Sequence, residues 1–135
     1  ADEVVKKFID IGEQANFYGF QNQDFVKIKM KNASIMVIPS LWEEPFGLVA
    51  AEAMSNAMAI VASKVGGVPE VIQGNGILID QINYSKLKYS LISLIKDKVK
   101  RKSLQLRAWK NFKLSSEKSS KSLDSFRKAI LQRYF

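Results

Sequence analysis

The chain has 135 residues, enough for one domain with a proper core but not comfortably two. Nearly half the residues are apolar and 25% are charged, a balance that excludes disorder; the absence of cysteine and histidine excludes disulfides, Cys/His zinc sites, thiol nucleophiles and a Ser-His-Asp triad within the chain. The net charge of +8 is uneven: residues 1–81 hold 6 Lys/Arg against 10 Asp/Glu, a net of −4, while residues 82–135 hold 15 against 3, a net of +12.

In chain order, residues 2–11 carry Val4, Val5, Phe8 and Ile11 on one face and predict a helix. Residues 15–20 read as a short strand stopped by Gly19 and a polar Gln21-Asn22-Gln23 turn, followed by a helix over 24–31. Residues 33–39 form a nearly continuous apolar run, as expected of a strand covered on both faces. A helix over 48–56 follows Pro45 and Gly47, then a buried strand over 59–62. Gly66-Gly67 breaks the chain before a short helix over 68–72, and a last strand spans 76–79. Beyond Ser85 the pattern is helical throughout, at 85–96, 98–113 and 116–134.

Strands alternating with helices predict an α/β fold, a parallel sheet of the Rossmann-like, doubly wound class with helices on both faces, plus C-terminal helices. The expected organisation is a partial Rossmann-like domain over residues 1–81, with basic helices over 82–135 packing on the same domain. Ligands in such sheets bind beyond the carboxyl ends of the strands, so the loops after Gly19, Pro39, Ser63 and Ile79 are where chemistry is expected. The longest apolar runs are too short to span a bilayer and no secretory signal stands at the start; the lack of cysteine fits a reducing cytoplasm, the expected setting.

The loop after Pro39 carries the strongest signal. Gly47 at the mouth of a helix lets backbone approach a ligand, and the free N–H groups of Leu48, Val49 and Ala50 suit an anion. Glu44 and Glu52 flank that helix start, where their carboxylates can accept from ligand hydroxyls. Spacing alone does not single this out, because acidic residues near a helix N-terminus commonly just complement its dipole.

The residue string does. Pro39-Ser40, Glu44-Pro45-Phe46-Gly47 and Glu52-Ala53-Met54, followed by Val61-Ala62-Ser63, Gly66-Gly67-Val68-Pro69-Glu70 and Asn75-Gly76, resemble the nucleotide-sugar-binding, C-terminal domain of the retaining GT-B glycosyltransferases. That large family includes bacterial lipopolysaccharide, capsule and mannosyltransferases and sucrose synthases; the resemblance covers residues 15–79. It implies sugar transfer from a nucleotide-diphosphate sugar to a glycan or lipid-linked acceptor hydroxyl with retention, in cell-envelope polysaccharide or lipopolysaccharide synthesis and without a metal. By the same resemblance Glu44 is the catalytic carboxylate on the donor sugar. Phe46, Gly47, Leu48 and Val49 line the diphosphate and sugar, Glu52 takes the ribose hydroxyls, and main chain at Gly19 to Gln21 borders the base.

Other residues stay open: Glu70 either orients the Gly66-Gly67 loop or touches ligand, Trp42 and Phe46 either pack or shape the site, and Lys64 is either solvated or at a phosphate. Two features depart from the family. Ala57 and Ala59 stand where Gly and Pro are common, so the turn at Ala57 either avoids the left-handed conformation or is strained. Two opening strands, the Arg/Lys pair that clamps the diphosphate, and the acceptor domain find no match. The expectation is therefore a fragment that needs a missing N-terminal acceptor domain, on the same or a separate chain, and is inactive alone. Strand 15–20 is then expected to lack a proper neighbour.

The basic C-terminal helices read either as a solvated lysine-rich face or as a surface drawn to anionic lipid headgroups at the inner face of the cytoplasmic membrane. A catalytically inactive nucleotide-sugar-binding fragment is the alternative from another class. A basic nucleic-acid-binding module is a third, disfavoured because the lysines are not interleaved with aromatics; no nucleic-acid partner is expected.

Overall fold

A computed structural model of the chain describes residues 15–43 and 45–112. The predicted helices over 2–11 and 116–134 lie outside the described residues. The described part falls into two compact units divided between Asn32 and Ala33.

In the first unit, residues 15–20 run without regular structure into helix α1 (Gln23–Asn32). The Asn22 side chain starts α1 by accepting from the Phe25 amide at 2.9 Å. Tyr18 meets Phe25 edge-on, with ring centroids 5.1 Å apart, and the Lys29 ammonium donates to the Tyr18 hydroxyl at 2.9 Å. The strand expected over residues 15–20 is not formed. Its aromatic content resembles a strand, but a strand closes its hydrogen bonds only on a neighbour, and the sheet among the described residues has three strands, none of them this one.

The second unit holds that sheet: β1 (Ile35–Ile38), β2 (Ala59–Ser63) and β3 (Ile77–Ile79), parallel and in the order β1-β2-β3. Register pairs Ile38 with Ala62 and Ser63 with Ile79. All five residues of β2 are buried, whereas Ile35, Met36 and Val37 of β1 are half-buried. The apolar run predicts a strand covered on both faces; at the edge of the sheet among the described residues, β1 is covered only in part. Helix α2 (Leu48–Ser55) links β1 to β2, and α3 (Val68–Ile72) links β2 to β3. After β3 come α4 (Tyr84–Lys96) and α5 (Lys98–Asn111), started by Asn83 and Asp97, whose side chains accept from the Lys86 and Lys100 amides.

Side chains alternate across a sheet, so β2 divides its burial between two layers. Ala59 and Val61 join Ile79, Leu94 and Leu104 in one core, with Leu87 and Leu91 against it, which places α4 and α5 on that face. Ile60 points the other way, where a methyl of the Ile72 side chain on α3 comes close to it around Gly76. Helices therefore cover both faces, the Rossmann-like arrangement.

Helix α5 also ties the amino ends of the strands together. Gln105 donates to the Ser34 carbonyl at 3.2 Å just before β1, the Arg107 guanidinium donates to the Gly74 carbonyl, and Asn111 donates to the buried Asn75 side chain at 3.0 Å just before β3.

The turn after α2 resolves the question raised by Ala57. The Met58 amide bonds the Ala53 carbonyl at 3.0 Å and the Ala57 amide bonds the Met54 carbonyl at 3.1 Å, the paired closure that ends a helix with a left-handed residue. Ala57 occupies that left-handed position, with φ of 51°, so the turn keeps its shape and the alanine is strained. Left-handed backbone costs an L-residue about 1–2 kcal/mol. Replacing Ala57 by Gly is therefore expected to stabilise the fold by about 1 kcal/mol, after subtracting the greater freedom glycine has when unfolded. A urea titration would read this as a higher midpoint at unchanged slope; a lower midpoint would show that the Ala57 side chain matters more than its backbone.

Candidate functional site

Three of the loops expected to carry chemistry open at the carboxyl edge of the sheet, after β1, β2 and β3. The first is built around Gly47, which is buried and left-handed (φ 60°, ψ 37°) at the start of α2. A left-handed residue followed by helical ones turns successive N–H groups to one side, the geometry of an anion-binding concavity. The first bond closing α2 runs from the Ala51 amide to the Gly47 carbonyl at 3.1 Å. The amides of Leu48, Val49 and Ala50 precede it and find no acceptor among the described residues, and no side chain caps the helix. Eight helical residues follow, long enough to carry a partial positive charge at this end.

This loop is locked to the next one by close packing. A Cβ on Gly47 would lie 3.2 Å from Val68 Cα, and one on Gly67 would lie 2.7 Å from the Pro45 carbonyl oxygen. Both loops need glycine for the same reason: the backbone at Pro45 to Gly47 lies directly against the start of α3.

Phe46, Leu48 and Val49 all face solvent at this mouth, Phe46 at 74% exposure. Glu52 lies one turn further along α2, exposed, its carboxylate without a partner among the described residues. Phe46, Gly47, Leu48, Val49 and Glu52 are thus brought together on one short stretch. Glu44 lies outside the described residues. Gly19, left-handed with φ of 62°, and Gln21 belong to the first unit, where Gln21 donates to the Tyr18 carbonyl at 2.6 Å.

Trp42 is 81% exposed, so neither it nor Phe46 simply packs. Lys64 is engaged: its ammonium lies 3.3 Å from the Asp80 carboxylate, both at the carboxyl edge and both more than half exposed. Glu70 is exposed in the first turn of α3 and supplies no side-chain cap to the Gly66-Gly67 loop.

One residue was not singled out from the sequence. Ser63, at the carboxyl end of β2, is 2% exposed and its hydroxyl has no hydrogen-bond partner among the described residues. An unmet buried hydroxyl costs about 1–3 kcal/mol. The only signal in the sequence is a polar residue closing an otherwise apolar strand.

Comparison with known proteins bears on this edge. The family model described as glycosyl transferases group 1 matches residues 6–111. An uncharacterized glycosyltransferase of Methanocaldococcus jannaschii is 40% identical over 83 residues, 60% of this chain and 21% of that protein. The chain thus spans about a fifth of that relative's length. Among solved structures, the C-terminal domain of a glycosyl transferase group 1 family protein from Francisella tularensis superposes with a TM-score of 0.70 at 27% identity, covering 84% of this chain and 61% of that one. HepE from Anabaena, solved in complex with UDP, superposes with a TM-score of 0.73 at 24% identity over 92% of this chain and 36% of its own.

Proposed function

This chain belongs to the glycosyl transferases group 1 family, and from that premise we propose that it forms the donor-binding wall of a retaining glycosyltransferase. Its donor is a nucleotide-diphosphate sugar and its acceptor a glycan or lipid-linked hydroxyl, in cell-envelope polysaccharide or lipopolysaccharide synthesis. The protein acts in the cytoplasm, peripherally at the inner face of the membrane. The observation that carries the reading is the start of α2: three amides without an acceptor among the described residues, behind a left-handed Gly47 at the carboxyl edge of a parallel sheet.

The chemistry follows from where charge develops. As the glycosidic C–O bond to the diphosphate breaks, negative charge grows on the departing phosphate oxygens. Fixed N–H donors aimed at that position stabilise it without reorganising, the role assigned to the amides of Leu48 and Val49. This is also the basis for a metal-free reaction. Glu44 accepts from the sugar hydroxyls beside the reacting carbon, Glu52 accepts from the ribose hydroxyls, and the main chain of Gly19 and Gln21 borders the base. Phe46 covers the sugar. The Anabaena neighbour was solved with UDP, which supports a nucleoside diphosphate as the ligand class.

A second reading, a module that binds the donor without transferring it, is favoured by one observation. Lys64 at this edge is held by Asp80 and is thereby drawn away from a diphosphate.

The two readings separate in one assay, run on the chain alone and with an upstream polypeptide that supplies the acceptor domain, which titrates UDP-, GDP- and ADP-sugars and follows nucleoside diphosphate release with membrane-extracted acceptor. Binding of one donor by the chain alone, with release and a product of unchanged anomeric configuration once the acceptor domain is supplied, is the expected result. Binding without release even then selects the second reading. No binding by any donor at millimolar concentration overturns both.

A further inference from the structure

Helix α5 is amphipathic in an unusual sense: both of its faces carry apolar residues. Leu104 and Ala108 are buried against the sheet. On the opposite side, Val99, Leu106 and Trp109 recur at i, i+7 and i+10 and are 81%, 52% and 55% exposed. Lys98, Lys102 and Lys110 are exposed on the same helix around them. Residues 84–111 together hold nine Lys/Arg and one Asp, a net of +8.

The place of this face is fixed by its neighbours. Gln105 bonds the residue before β1, and Leu106 and Trp109 share a shallow hollow with Ala57, two residues before β2. The face therefore lies at the amino ends of the strands, opposite the edge where α2 opens.

We infer that this outer face of α5 is a docking surface for an anionic lipid bilayer. Surface apolar residues normally occur singly; three aligned on one helix already packed on its other side call for a cover. Among occupants, a second copy is disfavoured because two such faces would oppose like charges across the contact. A nucleic acid would satisfy the lysines but leave Val99 and Leu106 against nothing. A bilayer satisfies both sets, since lysine stems run along apolar surface to headgroups while an indole settles at the interface. Docking by the amino edge leaves the carboxyl edge toward water, where a nucleotide sugar is dissolved. The inference rests on the peripheral placement proposed above and names the surface responsible for it.

The test uses Trp42→Phe, which leaves Trp109 as the sole indole. Vesicles of phosphatidylglycerol and phosphatidylcholine are compared with pure phosphatidylcholine. Binding to the anionic vesicles with a blue shift of Trp109 emission is expected. Lys102→Gln with Lys110→Gln should weaken it about 30-fold, from about 1 kcal/mol per lysine near such a surface. Leu106→Ala with Trp109→Ala, read by flotation, should also weaken it, while donor titration in solution and the far-ultraviolet dichroism stay unchanged for both pairs. Failure to bind anionic vesicles overturns the inference, as does binding with unmoved Trp109 emission or tighter binding to an oligonucleotide than to vesicles. Donor binding in solution is independent of each, so losing the membrane surface would leave the donor-binding reading standing.

Discussion

Replacing Gly47 by Ala is expected to destabilise the fold by about 2–5 kcal/mol and to abolish nucleotide-sugar binding. Two costs add. The residue sits at φ of 60°, which costs an alanine about 1–2 kcal/mol. Its new methyl would also lie 3.2 Å from Val68 Cα and 3.3 Å from Val68 N, backbone atoms that cannot rotate away, adding about 1–3 kcal/mol of overpacking. The relief available is for α2 and α3 to move apart, and that moves the amides of Leu48 and Val49 off the ligand. Gly67→Ala separates the steric cost from the conformational one. Its φ of −76° suits any residue, but its Cβ would lie 2.7 Å from the Pro45 carbonyl. It should cost about 1–3 kcal/mol by displacing the same loop from the other side. Thermal melts with and without donor check both. A Gly47→Ala protein that melts normally and still binds donor would mean that the tight contact between these loops is not what shapes the site.

The second large effect is on binding rather than stability. Glu52→Ala should lower affinity for a nucleoside diphosphate about 10- to 100-fold, the worth of one hydrogen-bonded charge at about 1.5–3 kcal/mol. Stability should hold or rise slightly, because Glu52 is exposed, its carboxylate has no partner among the described residues, and alanine favours helix. The control lies in the ligand. A dideoxy nucleoside diphosphate, lacking both ribose hydroxyls, should bind wild type and Glu52→Ala equally weakly. If the variant loses the same factor for the dideoxy ligand, Glu52 does not act through the ribose. Glu44→Gln should show the complementary pattern, with unchanged affinity for the nucleoside diphosphate and a loss confined to the nucleotide sugar and its turnover.

The second unit was legible from the sequence because its elements declare themselves locally. The helix predicted over 68–72 is α3 at those bounds, and the strands predicted over 59–62 and 76–79 differ from β2 and β3 by one residue at one end each. Gly47 could be placed at a helix mouth because a glycine before an Ala-rich run has few other uses. What was not legible depends on partners distant in sequence. Residues 15–20 look like a strand and form none, since pairing is a property of the neighbour and not of the segment. Lys64 and Asp80 meet because Ser63 and Ile79 are register partners on adjacent parallel strands, a relation invisible until the sheet order is known. Ala57 was recognised as a departure, yet only the backbone shows that the turn held its left-handed shape and took the strain. The outward apolar row on α5 was hidden by the lysines between, which drew attention to charge alone.

The central claim is that the amides opening α2 receive the donor diphosphate, and it can be read residue by residue. Amide-resolved nuclear magnetic resonance, recorded as a nucleoside diphosphate is titrated in, should move the signals of Leu48, Val49 and Ala50 furthest and slow their hydrogen exchange. These amides have no acceptor among the described residues beforehand, so they are the ones with a bond to gain. Saturable binding that shifts other amides and leaves these three unmoved would contradict the account.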